Sequence, residues 1–285
     1  MRVRSRRLSP ILVAALATLG VGGAGVIAWG RWSNRTTPIT VGELVARTST
    51  TSTTSTSTST VPAALPGTVP DTAISLTTGT TSAEITTPAS LPAAGVYSYR
   101  TTGTERLDLL TGVDREYPSE TGIVVTHTAC GFDVSWQPYV ERTYTIQLCR
   151  RGTELVVAGY TNAYEFFGQP EQRHLVCDPP PRWLAVAAFT TTCTGDGVVE
   201  QRTASAGDGS VTIDGRTLAA LHVVIETSTS GSTDGTTHEE LWLDRLTGLV
   251  LRLDRTVRNE TSTAVGAAAY QEHVELLVSV LTPVG

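Results

Sequence analysis

"CGFDVSWQPYVERTYTIQLC" (residues 130–149) is the stretch that decides the fold. Phe132, Val134 and Trp136 alternate with Asp133, Ser135 and Gln137; a little further on, Tyr144, Ile146 and Leu148 alternate with Thr143, Thr145 and Gln147. Successive side chains of a strand point to opposite faces, so two such runs in succession read as a half-buried antiparallel hairpin. Both apolar faces are even-numbered. An unbroken hairpin that buries both sets even residues opposite even ones, which puts Cys130 and Cys149 on opposite faces. A bridge between them needs a face switch, and Gly131 is the natural position for a bulge.

The same period extends outward through most of the chain after Val96. Ile123, Val125 and His127 share a face, as do Leu221, Val223 and Ile225; Tyr270, Val274, Leu276, Val278 and Val280 share one parity. Asp-Gly, which suits the positive φ of tight hairpin turns, occurs at 196–197, 208–209, 214–215 and 234–235. In "EELWLDRLTGLVLRLD" (239–254) a loop over 244–248 sets Leu243 opposite Leu249 and Leu241 opposite Leu251, with Trp242, Val250 and Arg252 on the other face. "PRWLAVAAF" (181–189) is the one segment of the domain read as a helical turn or two. The expected fold is mainly β: one strongly curved antiparallel sheet of about 10 to 12 strands, a half-barrel or a sandwich.

The N-terminus reads as an address. "MRVRSRR" (1–7) is a basic tail, and residues 8–29 carry no charge. From Ile11 to Trp29 a helix rising 1.5 Å per residue spans about 28 Å, roughly a bilayer core. The arginine asymmetry puts the tail in the cytoplasm and the rest outside, as a single-pass protein of the cell membrane. The competing reading is a cleaved signal peptide, with Val26-Ile27-Ala28 at the cleavage site, and then a secreted protein. Residues 48–60 are only Ser and Thr, and prolines are scattered through to residue 92, so 30–92 reads as a disordered stalk that holds the domain 93–285 off the membrane.

Four cysteines, Cys130, Cys149, Cys177 and Cys193, all lie in the extracytoplasmic part. An even number in an oxidising compartment argues for two disulfides, and proximity favours 130–149 with 177–193. The spacings lack the close pairs of a zinc site or a redox C-x-x-C.

Composition removes several chemistries. Lysine is absent, all 21 basic residues being arginine, so there is no Schiff-base lysine and no Walker A lysine. From Gly95 onward 14 arginines face 24 acids, a balance that repels nucleic acid, so none is expected as a partner. No G-x-S-x-G occurs, and "HEELW" (238–242) has Trp242 where a zincin has its second histidine. His127 reads as a core or rim histidine, and His174, His222 and His273 stand alone on predicted strands. No catalytic, metal or cofactor residue is assigned. A pair of convergent carboxylates is the remaining catalytic option. The candidate ligand-facing aromatics are Trp136, Tyr144, Phe166, Phe167 and Trp242.

"GVYSYRTTGTERLDLLTG", "REYPSETGIVVT", "ACGF" with "ERTYTIQLC", "YEFFGQ" with "HLVC", and "LWLDRLTGLVLRLDRTV" together resemble a family of uncharacterised actinobacterial secreted or membrane-anchored proteins, over most of residues 95–283. That resemblance implies no activity. The late strand pattern is also similar, at fold level, to the curved-sheet lipoprotein carriers of bacterial envelopes. The expected function is a membrane-anchored, non-enzymatic binding module of the cell envelope, taking an apolar ligand, an envelope polymer or a protein. An envelope hydrolase with paired carboxylates and a purely structural assembly module are the alternatives.

Overall fold

The computed structural model describes residues 37–51, 90–109, 111–152, 154–166, 169–185, 187–263 and 266–284. The basic tail, the apolar segment 8–29 and residues 52–89 lie outside the described residues. Among the described residues no helix is long and apolar enough to cross a membrane.

Among the described residues, thirteen strands follow one short helix. They are β1 (Gly95–Leu109), β2 (Thr111–Glu116), β3 (Glu120–His127), β4 (Gly131–Tyr139), β5 (Arg142–Arg151), β6 (Glu154–Phe166), β7 (Gln169–Asp178), β8 (Phe189–Gly195), β9 (Val198–Ile213), β10 (Arg216–Gly231), β11 (Thr233–Asp244), β12 (Val250–Thr263) and β13 (Gly266–Val278), after α1 (Val41–Thr51). Every neighbouring pair is antiparallel, in an up-and-down order. β2 and β3 pair with the same edge of β1 in one continuous register, Thr104↔Glu116 and Gly95↔Val125, so they act as a single interrupted strand.

The sheet closes. β13 pairs with the other edge of β1 from Tyr99↔Val278 to Asp108↔Ala269, which makes a closed barrel of 12 strands, where the sequence reading expected a half-barrel or sandwich. The physical reason is the length of β1: 15 residues serve β3 and β2 on one edge and β13 on the other, so both edges of β1 are paired and the sheet closes on itself.

One end of the barrel is plugged. Residues 179–185, after β7, turn inward; the described residues between β7 and β8 form turns and a single bridge, and no helix. The Trp183 indole is buried and donates to the Gly248 carbonyl at 2.9 Å, while its backbone N–H donates to Leu155 O at 2.7 Å. A Cβ at Gly248 would come within 3.2 Å of the Trp183 ring, and the residue has φ +77°, so glycine suits this contact on two counts. Val211 and Ile213, at the tip of the long β9–β10 hairpin, belong to the same apolar cluster as Trp183 and Leu184. The other end carries the β4–β5, β6–β7, β10–β11 and β12–β13 turns.

Local expectations divide. Asp196-Gly197 and Asp214-Gly215 are tight turns, all four residues having positive φ; Asp208-Gly209 and Asp234-Gly235 lie inside β9 and β11. Near the β11–β12 turn the pairing is Leu243↔Val250 and Leu241↔Leu253, with a bulge between Trp242 and Leu243. That bulge turns Val250 into the core, where the unbroken register would have placed it outside. The disulfides are Cys130–Cys149 and Cys177–Cys193. Gly131 is not a bulge: it pairs with Cys149 within the regular ladder, and Cys130 lies in the bend just before it, free to swing to the face of Cys149.

Residues 37–51 differ from the expected stalk. Thr40 caps α1 reciprocally with Glu43: the Glu43 N–H donates to Thr40 Oγ1 at 3.2 Å and the Thr40 N–H donates to Glu43 Oε2 at 2.8 Å. Ile39 and Leu44, flanking that cap, are buried in a small cluster with Val96 on the outside of the barrel. Leu44 fills the space over Gly122, where a Cβ would come within 2.4 Å of Leu44 Cδ1.

Candidate ligand-binding cavity

The barrel interior changes character along its length. Towards the plug it is packed with Ile123, Val134, Ile146, Leu241, Leu253 and Leu276, leaving a residual void of about 30 Å³. Towards the other end lies a cavity of about 330 Å³. At roughly 30 Å³ per molecule this is room for about ten waters, at the small end of ligand pockets. Tyr164, Glu165, Glu171, Thr233, Thr261 and Ala268, beside the turns of that end, form its rim.

Strand pairing sets charged residues in the wall. Arg202, Thr227, Thr237, Val257, Glu272, Glu105 and Arg115 are successive partners across β9, β10, β11, β12, β13, β1 and β2. Glu105 and Glu272 thus stand directly opposite each other, a like-charged pair. Arg142 resolves it by reaching across the lumen from β5: Nη1 donates to Glu105 and to the Tyr270 hydroxyl at 2.5 Å, and Nη2 donates to Glu272 at 2.6 Å. Arg255 adds two bonds to Glu272, from Nε at 2.8 Å and Nη2 at 2.5 Å. The Tyr270 hydroxyl donates to Glu105 at 2.9 Å and also to Glu272. Burial pushes the Glu272 carboxyl up, but the Arg255 and Arg142 guanidiniums outweigh it and hold the group at about 2. Burial pushes the Tyr270 and Tyr144 hydroxyls well up, so both stay neutral.

Aromatic rings in and around this region are each faced by a guanidinium. Arg202 lies 3.8 Å from the Tyr160 centroid, Arg142 5.2 Å from Tyr270, and Arg173 5.7 Å from Tyr164. Arg255 sits between Trp136, at 5.2 Å, and Tyr144, at 5.1 Å. Arg202 also binds Glu200, through Nε at 3.0 Å and Nη2 at 2.5 Å.

Four buried polar atoms around the cavity have no hydrogen-bond partner among the described residues: Arg202 Nη1, Asn162 Oδ1, Thr227 Oγ1 and Asn259 Oδ1. Buried polar atoms are nearly always bonded, because an unmet one costs about 1–3 kcal/mol. All four line this cavity, so water or another polar molecule held there is what would bond them.

The sequence-predicted aromatics separate. Tyr144 is on the cavity wall, and Trp136 is on the apolar floor, its indole donating to Thr121 Oγ1 at 3.1 Å. Trp242 is on the outer face, stacked on His222 with centroids 4.4 Å apart and faced by Arg252. Phe167 and the Phe166 side chain lie outside the described residues. His174, His222 and His273 do not stand alone: His174 meets Thr161 at 3.0 Å, His222 meets Glu240 at 2.8 Å and His273 lies 3.5 Å from Asp254, while His238 meets Glu240 at 3.4 Å and Glu226 at 2.7 Å. Asp254, His273 and Glu275 cluster on the outer face, but Arg252 lies 3.9 and 3.7 Å from the two carboxylates, and nothing else there points to a metal.

No family model, no curated protein and no solved structure matches the chain. The barrel is compatible with a lipocalin-like or carrier-like fold. Its two disulfides fit an oxidising, extracytoplasmic location.

Proposed function

We propose that this chain is an extracytoplasmic binding module, anchored by residues 8–29, whose barrel admits a small polar molecule at the unplugged end. The carrying observation is the convergence of four unbonded buried polar atoms on one cavity of about 330 Å³. The arginine and glutamate lining supports a polar occupant over the apolar molecule that the sequence alone had allowed. A hydrolase reading has one point in its favour, since Glu105 and Glu272 converge on Arg142. It also needs a carboxylic acid that gives up a proton near neutral pH. Glu272, held at about 2, is ionised there, which supports binding over acid catalysis.

Native mass spectrometry of the full chain, released from detergent, tests the proposal. A retained small mass that leaves on mild activation is the expected result. A bare chain, together with no thermal stabilisation by any of a broad panel of polar metabolites, would sink it.

A further inference from the structure

We infer that the guest is a small zwitterion of amino-acid size, its cationic group on Glu239 and its anionic group on Arg202; this rests on the binding reading above. Glu239 is the least satisfied of the buried acids beside the cavity. It is buried, its ion pair to Arg255 Nη1 is 4.0 Å long, and among the described residues it accepts no hydrogen bond. Arg202 is also buried, with Nη2 and Nε on Glu200 and Nη1 unmet. The two lie on one face of neighbouring rows: Arg202 pairs with Thr227, and Glu239 is two residues along from that threonine's partner, Thr237.

Two further observations narrow the class. The residues that line the cavity include five glutamates and five arginines, a balanced set. A guest with net charge would leave one charge uncompensated in a poorly solvated space. Tyr144, moreover, lies between Arg255 and Tyr160, and Tyr160, Tyr164 and Tyr270 each have a guanidinium over the ring, which works against stacking of a sugar's apolar face.

The probes are single free amino acids, their N-acetyl and methyl-ester derivatives, glycerol and glucose, added to the full chain in detergent. Thermal shift and calorimetry are the readouts. At least one free amino acid should stabilise the chain, with at least tenfold weaker binding once either charge is masked and in Glu239→Gln. If Glu239→Gln does not fold, Asn162→Ala, which removes an unmet acceptor at the same wall, should weaken binding severalfold. Equal binding of a masked derivative or of a polyol, or undiminished binding in a folded Glu239→Gln, overturns the zwitterion while leaving the binding module. No probe binding, with a mass still retained in the native spectrum, also overturns only the zwitterion. A bare spectrum and no binding overturn both.

A separate observation concerns how the barrel sits. We propose that α1 clamps the domain close to the membrane with the open end on the anchor side. Pro38 bridges to Tyr139, Thr37 O accepts from the Val140 N–H at 2.9 Å, and the Thr37 N–H donates to Glu141 at 3.0 Å, all at the β4–β5 turn of the open end. Only residues 30–36 separate this contact from the predicted span, at most about 25 Å of extended chain. The clamp rests on the anchor of the proposed function, and a site-specific protease sequence inserted in 60–70 of the membrane-inserted chain separates the two. After cleavage the barrel should stay with the membranes, and Leu44→Asp should release it. Release without that substitution overturns the clamp. A chain that leaves the membranes before cleavage overturns the anchor, and the clamp with it.

Discussion

Leu276 and Glu272 lie four residues apart on β13, both buried and both facing the barrel interior, yet they belong to two different kinds of interior. Around Leu276 the lumen is filled by apolar side chains from the facing strands and closed by the Trp183 plug. Around Glu272 it is held apart by guanidiniums and left partly open. Strand period fixes which side chains point inward; what those side chains are decides whether the inside is a core or a site.

The largest expected effect breaks the polar half. Glu272→Gln leaves Arg142 and Arg255 without their shared carboxylate, and removing one partner of a buried ion pair costs about 3–5 kcal/mol. Leu276→Ala, in the apolar half, costs about 2–5 kcal/mol through a cavity. Urea denaturation of both variants compares the halves directly; a loss under about 1 kcal/mol in Glu272→Gln would mean the cross-lumen network does not form. Acid probes the same group. Its folded value of about 2 lies below the ordinary 4.5, so the stabilisation it brings is complete above about 4.5 and is lost as pH falls towards 2. The Glu272→Gln variant should show a flatter acid limb over that window.

The disulfides extend the comparison to the outer surface. Their sequence separations are 16 and 19, so loop closure alone predicts nearly equal stabilisation, about 2–4 kcal/mol each. Cys177 and Cys193 are buried inside the barrel, whereas Cys130 is exposed at its end. Replacing the buried pair with serine therefore adds a packing loss, and thermal melts of the two double variants should rank it as the more damaging.

Much of this barrel was legible in the sequence, and its cavity was not. Alternation at 132–136 and 144–148 located β4 and β5, and cysteine parity posed the right geometric question about 130–149. Closure was hidden because it depends on which distant strand meets β1, and no local pattern states that. The cavity does leave a signal in the sequence. Glu272 shares the parity of Val274, Leu276 and Val278; Glu239 that of Leu241 and Leu243; Arg255 that of Leu253 and Val257. A charge on the apolar parity of a strand is costly unless paired, so three such charges point to an interior network. Their partners, above all Arg142, converge only in three dimensions. Thr40-Val41-Gly42-Glu43, followed by Leu44, is likewise a readable capping signature inside a segment whose composition reads as a stalk.

Trp242, one of the five aromatics that the sequence reading places with the ligand, provides a control from outside the barrel. It packs over Gly209 and His222 on the outer face. Trp242→Ala should cost about 1 kcal/mol or less and leave ligand binding unchanged, measured by the same melts and calorimetry.

The smallest expected effect sets an outer charge pair against the inner ones. The hydrogen bond to Glu226 raises the His238 imidazole above its ordinary 6.5, with a further contribution from Glu240. A raised histidine contributes its stability in full below about 6.5 and loses it as pH climbs through the folded value. His238 and Glu226 are both well exposed, so water and salt screen the pair and the loss should stay well under about 1 kcal/mol, shrinking further in high salt. Glu272 sees two guanidiniums in a space from which bulk water is largely excluded. Chemical denaturation from pH 6 to 8 and again from pH 5 to 2, in low and high salt, places both on one scale. A steep, salt-resistant acid limb beside a shallow, salt-sensitive limb near neutrality is what an interior network and a surface pair produce. Equal slopes would mean that water reaches Arg142 and Arg255 as freely as it reaches His238, and the cavity would then hold its charges by solvation and not by each other.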